Sequence, residues 1–284
     1  MSAYHRPETL KDALAILARS PAVVAAGCTD LFPATERQTL AGPVLDITAI
    51  AGLRGMRETT QGWRIGATTT WRDVLDAPLP PGFDMLKQAA RQIGSPQIQN
   101  AGTVAGNLCN ASPAADGVPP LLALQAQVEL TGPQGPRRLN LADFLCGVRQ
   151  TRRRDDELLT AIHIPCAAGA GRSVFLKLGA RKHLVISIAM VAVRLVAAQG
   201  RVVDLALAVG ACSPVAVRLH AQEQVLVGQP LPDLAARLDP AAVAADLAPI
   251  SDFRADAAYR TEAAVALLRR ALAGLQPGAP DMVS

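Results

Sequence analysis

Two stretches of small and hydrogen-bonding residues are where this chain could do chemistry. The first is Ala25-Ala26-Gly27-Cys28-Thr29-Asp30-Leu31, at the end of a short apolar run. The second is Asn100-Ala101-Gly102-Thr103-Val104-Ala105-Gly106-Asn107-Leu108, continuing through Cys109-Asn110-Ala111-Ser112-Pro113-Ala114-Ala115-Asp116. Tiny side chains let backbone N–H groups come close to an anion, and a helix expected to start near Thr29 would add the positive partial charge of its first turn. Thr103 and Asn107 can donate to phosphate oxygens, and Asp116 can accept from sugar hydroxyls. The chemistry this suggests is the holding of a nucleotide. Strand–glycine–helix turns also serve as plain connectors, so the first stretch alone does not decide the matter.

Other fingerprints are missing. There is no G-x-G-x-x-G, no G-x-x-x-x-G-K-S/T and no G-x-S-x-G, which argues against Rossmann, P-loop and α/β-hydrolase sites. His5, His163, His183 and His220 share no ligand spacing and are expected at surface or packing positions. The five cysteines, Cys28, Cys109, Cys146, Cys166 and Cys212, are odd in number and form no C-x-x-C pair, so neither a zinc nor an iron–sulfur site is expected here. No residue is assigned a catalytic role. The net charge of +4 is dispersed, its densest cluster being Arg152, Arg153 and Arg154, and aromatics make up only 3% of the chain. A nucleic-acid binder needs a basic stripe and stacking aromatics, so that class is set aside. The first residues carry no apolar signal region. The apolar run over 186–198 is too short to span a bilayer and is broken by Ser187 and Arg194, so a reducing cytoplasm is the expected home.

The elements that must position the two stretches follow from periodicity and caps. Leu10, Ala13, Leu14, Leu17 and Ala18 recur at helical spacing, with Thr9 and Asp12 able to cap the start. Strands are expected over 22–25 and 44–47. A second unit begins near Leu53. It should hold two strands joined by a turn at 57–62, the second over 63–67, then a helix opened by Thr69 or Thr70 and stopped by the prolines at 78–81. A helix over 83–93, a loop without secondary structure over 94–113, a helix over 114–125 and strands near 128–130 and 137–139 complete it. A third unit from about Ser173 opens with strands over 174–178, 186–197 and 202–209. Helices over 214–227, 232–238 and 256–275 follow. Strands then helices argue an α+β arrangement rather than a doubly wound sheet. The tail after Pro277 is expected to fray.

In their order along the chain these motifs resemble the flavin subunits of the molybdenum hydroxylases, the xanthine dehydrogenase and carbon monoxide dehydrogenase family. That family shows a first loop like A-G-G-T-D-L and a second like G-T-x-G-G-N-L followed by S-P-x-x-D. Here they stand as Ala26 to Leu31 and Gly102 to Leu108, with Ser112, Pro113 and Asp116 in step. Glu157-Leu158-Leu159, Ile162-His163-Ile164-Pro165, Phe175-Leu176-Lys177, Arg181, Gly210-Ala211-Cys212-Ser213-Pro214 and Tyr259-Arg260 also fit, so the likeness runs from Pro7 to about Leu272.

The resemblance implies an α+β protein. A two-subdomain FAD-binding unit of the vanillyl-alcohol-oxidase type would span residues 1–170, with subdomains of about 1–52 and 53–170. A C-terminal α+β unit of antiparallel sheet and helices would span 171–284. It implies that the backbone of Ala25, Ala26, Gly27, Cys28 and Thr29, with Asp30 and Leu31 following, holds the FAD pyrophosphate together with the loop of Thr103, Ala105, Gly106 and Asn107. Asp116 would meet the sugar or ribityl chain, Ile93 and Leu159 the adenine, and Lys177 and Ile186 the flavin.

Two positions depart from the family pattern. Cys28 stands for a frequent second glycine, and Ala105 for the first glycine of the G-G-N step. Both are small enough if neither position needs φ > 0. Cys28 could be structural, a reactive thiol or a covalent flavin link. The resemblance also implies two partner subunits, a small one with two [2Fe–2S] clusters and a large one with molybdopterin, and an acceptor such as NAD, a quinone or oxygen. One branch of the family carries a cysteine-rich insertion for an additional [4Fe–4S] cluster, and no such insertion follows Asn107. The alternatives are a self-contained flavin oxidase and a flavin-free nucleotide-binding scaffold. The apolar third unit suggests either a surface reserved for other subunits or a plain core.

Overall fold

The computed structural model describes residues 3–36 and 40–276, and the tail after Pro277 lies outside them. The chain begins with a parallel three-stranded sheet in the order Tyr4–His5, Val44–Asp46, Val23–Ala25. The helix Leu10–Arg19 connects its strands. Thr9 caps that helix, its hydroxyl accepting from the Asp12 amide at 3.1 Å, and Ala13 and Leu17 form its buried stripe.

The second sheet is antiparallel, with five strands in the order Met56–Thr59, Gly62–Gly66, Leu158–Pro165, Gln127–Gly132, Gly135–Asn140. The third is antiparallel with four: Arg172–Leu178, Ala189–Ala198, Arg201–Gly210 and Val217–Arg218. The helix Ala257–Gly274, capped by Asp256, packs on it. This is the α+β architecture expected from the order of elements.

The third sheet is buried on both faces. Phe175, Met190, Ala192, Ala206 and Ala208 enter the core shared with the first two sheets. Their neighbours Val174, Leu176, Val191, Val193, Leu205, Leu207 and Val209 enter a second core with the C-terminal helices. A strand buried on both faces is written as a near-continuous apolar run. The apolar composition of this unit is therefore largely spent internally, which favours the plain core.

Several expectations need correction. No helix starts at Thr29. Residues 29–34 form successive turns, with the Phe32 amide bonded to the Cys28 carbonyl and the Ala34 amide to that of Asp30. The supposed loop over 94–113 holds two short helices, Pro96–Ala101 and Val104–Asn110. Each is too short to show a period, but each is capped, by Ser95 and Thr103 respectively. The helix expected over 114–125 shrinks to Val118–Ala123, because Pro119 and Pro120 fit only a first turn. Within 214–227, Val217–Arg218 is a strand and the helix begins at His220. The third sheet's second strand starts at Ala189 rather than at 186. Leu158–Pro165, the central strand of the five, was expected only as a motif, and Pro240–Asp246 adds a helix.

Candidate functional site

A cleft of about 1140 Å³ runs between the first two sheets and reaches the third. Its walls include Ala26, Gly27, Cys28, Thr29, Asp30, Leu31, Ile93, Thr103, Ala105, Gly106, Asn107, Asp116, Leu159, Lys177 and Ile186. Ala25 is the exception among the candidates. It closes the strand Val23–Ala25, and its carbonyl accepts from the Ile47 amide at 3.0 Å, so it supports the first loop from behind.

The two loops are pressed together. A Cβ added to Gly27 would lie 2.1 Å from the Ala101 carbonyl oxygen, so only glycine allows this approach. Thr103 pairs with Thr70 across an isolated bridge, and the Trp71 amide donates to the Gly102 carbonyl at 3.1 Å. The second loop is thereby pinned to the buried start of the helix Trp71–Asp76. Among the described residues the amides of Gly27, Cys28, Thr29, Asp30 and Leu31 find no acceptor, and neither does that of Ala105. The Thr103 hydroxyl accepts from the Gly106 amide at 3.0 Å, which leaves its O–H to donate.

Cys28 sits at φ 56, in the left-handed region, so the condition set for its small side chain is not met. Ala105 lies inside the helix Val104–Asn110 and needs no such conformation. The Cys28 thiol contacts the Ala26 carbonyl at 3.5 Å. Burial and the nearby Asp46 carboxylate push its pKa up against the lowering effect of that contact. A thiol held protonated at neutral pH is a poor nucleophile, so the structural role is the one its surroundings favour.

At the other end of the cleft Asp116 is buried between Lys177 Nζ at 2.5 Å and Ser187 Oγ at 2.5 Å, both donating to it. Burial raises its pKa while the ammonium and the hydroxyl pull it back. Two candidates placed by sequence at separate parts of the ligand are thus one ion pair. Asn107 Oδ1 is buried and has no partner. Ile93 and Leu159 give apolar wall, and Ile186 stands largely exposed at the rim.

The sequence missed several lining residues. Trp71 is a buried wall, and its ring packs so closely on Gly117, which is not itself part of the lining, that a Cβ added there would lie 2.4 Å from it. Arg149 and Arg153 bring positive charge from a hairpin whose strands are Leu145–Gly147 and Gln150–Thr151 and from the segment just beyond it. The Arg149 amide donates to the Ala111 carbonyl at 2.9 Å, which ties the hairpin to the second loop. Only the turn composition around Gly147 could have hinted at the hairpin, and nothing in its spacing linked it to the cleft.

These walls suit a dinucleotide. The volume exceeds the roughly 300–1,000 Å³ usual for ligand pockets. Free amides and nearby arginines suit a pyrophosphate, an orphaned amide oxygen and a buried carboxylate suit sugar or polyol hydroxyls, and Ile93, Leu159 and Ile186 suit flat rings. The fold and the cleft together define a flavin-dinucleotide-binding protein of the two-part α/β kind with an antiparallel α+β unit attached.

The comparisons specify the family. A model described as the FAD binding domain in molybdopterin dehydrogenase matches residues 1–167, and one described as the CO dehydrogenase flavoprotein C-terminal domain matches residues 175–275. The carbon monoxide dehydrogenase medium chain of Afipia carboxidovorans is 35% identical, over 95% of this chain and 94% of that one. The xanthine dehydrogenase FAD-binding subunit of Escherichia coli O157:H7 is 32% identical, over 91% and 90%. Among solved structures, reconstituted CO dehydrogenase from Oligotropha carboxidovorans superimposes with a TM-score of 0.88 at 32% identity, covering 96% of both chains. This chain belongs to the FAD-binding medium subunits of the xanthine and carbon monoxide dehydrogenase family. It is an oxidoreductase subunit, and its cofactor is FAD.

Proposed function

We propose that this chain is the electron-exit subunit of a molybdopterin-dependent hydroxylase. It stands between the [2Fe–2S] clusters of a small partner subunit and an external acceptor such as NAD, a quinone or oxygen, while a large molybdopterin subunit handles the organic substrate. When bound, FAD supplies the conversion between single-electron and paired-electron transfer. The observation that carries this reading is the cleft itself, where loops far apart in sequence close around one set of free amides.

Within the cleft, the amides of Gly27 to Leu31 and of Ala105, with the Thr103 hydroxyl, hold the pyrophosphate. Asn107 offers Oδ1 to a hydroxyl and its NH₂ to a phosphate oxygen. Asp116 orders the ribityl or sugar hydroxyls, held in place by Lys177 and Ser187. Ile93 and Leu159 pack the adenine and Ile186 the flavin. We place the division into an FAD-binding and a C-terminal unit near residue 170, with a break near 52–53 inside the first. In support, the five-stranded sheet ends at Pro165 and the four-stranded sheet begins at Arg172. Among the described residues no helix is long and apolar enough to cross a membrane, and we place the complex in the cytoplasm. Xanthine and carbon monoxide enzymes match this chain at 32% and 35% identity, so identity does not select the substrate.

The test is to purify the chain with its flavin and precipitate it with acid. Non-covalent FAD should pass to the supernatant. In the folded protein Gly106→Val should abolish the visible flavin spectrum while the circular-dichroism spectrum stays that of a folded chain, because Gly106 faces the cleft with only Thr103 Oγ1 near its Cβ position, at 2.6 Å. Full flavin occupancy in that variant would place the pyrophosphate elsewhere. Visible absorption of the wild-type chain also separates this reading from a flavin-free scaffold.

A further inference from the structure

Ser187 is fully buried, and it reaches Asp116 because of the residue that follows it. The Ile188 amide donates to the Leu178 carbonyl at 2.8 Å, and the Ile188 carbonyl accepts from Arg260 at 2.6 Å. Arg260 comes from the first turns of the helix Ala257–Gly274 and is only 2% exposed. The same guanidinium nitrogen also donates to the Ala211 carbonyl at 3.1 Å, and its other terminal nitrogen donates to Asp252 Oδ1 at 2.8 Å.

Ala211 is itself a constrained residue, at φ 63, and its amide donates to the Pro113 carbonyl at 3.0 Å. Pro113 belongs to the loop that carries Asp116. One guanidinium nitrogen, with the group anchored on Asp252 by the other, therefore fastens two peptide groups that approach the same carboxylate: Ile188, adjacent to the Ser187 that donates to Asp116, and Ala211, whose amide is bonded to the loop that carries it. A lysine could not hold both carbonyls and Asp252 at once, since its donors radiate from a single nitrogen.

We propose that Arg260 is a positioning residue of the flavin site. Through Ile188 and Ala211 it sets Ser187, and with it the Asp116–Lys177 pair, against the bound cofactor. This rests on the reading that the cleft takes FAD. The rival is that Arg260 only staples the last helix to its sheet.

A double-mutant cycle on the full chain separates the two. FAD affinity is measured by flavin fluorescence on reconstitution of the apoprotein, with thermal midpoints recorded alongside, for Ser187→Ala, Arg260→Lys and the pair together. Each single variant should weaken FAD binding by about tenfold, the worth of one hydrogen bond to a charged group. The double variant should be little worse than the weaker single, because both changes act on one hydroxyl. Losses that multiply, or an Arg260→Lys chain that melts earlier yet binds FAD like the wild type, would overturn the proposal. Should Arg260→Lys fail to fold, Asp252→Ala takes its place in the cycle, freeing one terminal nitrogen of the guanidinium from its anchor. Gly106→Val serves as the reference. If it retains FAD, the cleft assignment itself fails. If it loses FAD while Ser187→Ala and Arg260→Lys keep it, only the role of Arg260 fails.

Discussion

At Cys28 the backbone rather than the side chain sets the constraint. With φ at 56 the residue bears a cost of roughly 1–2 kcal/mol that glycine would not. Cys28→Gly trades that gain against roughly 0.5–1 kcal/mol of extra unfolded-chain entropy, so it should be neutral or stabilising by up to about 1.5 kcal/mol. It should also keep FAD bound. Cys28→Val puts a β-branched side chain into the same conformation and should destabilise by about 2 kcal/mol or more, with weaker flavin retention. Denaturant unfolding of the apoprotein together with FAD titration checks both, and equal stabilities for the two variants would remove the left-handed strain from the account. The candidate residues were legible in the sequence as chemical types, because small and hydrogen-bonding side chains were concentrated in two stretches. Their conformations were not, since cysteine and glycine look alike to an argument from size. Nor was the meeting of Asp116, Lys177 and Ser187, which are far apart in sequence and share no periodicity.

Among the elements, capped starts and long amphipathic periods were legible. The helix Leu10–Arg19 was readable from Thr9 and its apolar spacing, and the helix Ala257–Gly274 as the last of the helices that follow the strands, its Asp256 cap being a finding of the structure. The helix Val104–Asn110 was not. It buries only Val104, Ala105 and Leu108, too few positions to separate a helix from a loop, and its one plain signal was Thr103. That residue carries two loads. Its hydroxyl oxygen caps the helix through the Gly106 amide, and its proton remains available for a phosphate oxygen. Thr103→Val keeps the shape and removes both. The lost cap should cost about 1 kcal/mol of apoprotein stability. The lost donor should weaken FAD by about tenfold beyond any effect of stability. Thermal melts with and without saturating FAD separate the contributions: an apo melt unchanged from wild type would deny the cap, and an equal flavin affinity would deny the donor. The strand Leu158–Pro165 was hidden for the opposite reason. Central and mostly buried, it lacks the alternation that marks a half-exposed strand.

For the whole molecule, the cleft draws walls from residues 22–31, 92–116, 146–159 and 177–186, so it exists only when all three sheets are assembled. The third sheet makes this possible by giving one face to the shared core and the other to its own helices, which leaves Lys177 and Ser187 at the junction. The walls are matched to holding a dinucleotide. Among the described residues no group of three or more His, Cys, Asp or Glu is placed to hold a metal ion. The relatives with which this chain shares its fold over nearly its whole length are named as medium chains and FAD-binding subunits, parts of larger enzymes. A flavoprotein built as the exit of such an enzyme should be reducible from outside and yet unable to oxidise an organic substrate by itself. We therefore expect the lone FAD-loaded chain to show at most slow, dye-coupled oxidation of NADH. Addition of the iron–sulfur and molybdopterin subunits should restore substrate-driven reduction of the flavin. Anaerobic stopped-flow absorbance decides between this and the self-contained oxidase: rapid bleaching of the flavin by an aldehyde or an N-heterocycle with this chain alone would assign the substrate site to this subunit and overturn the proposal.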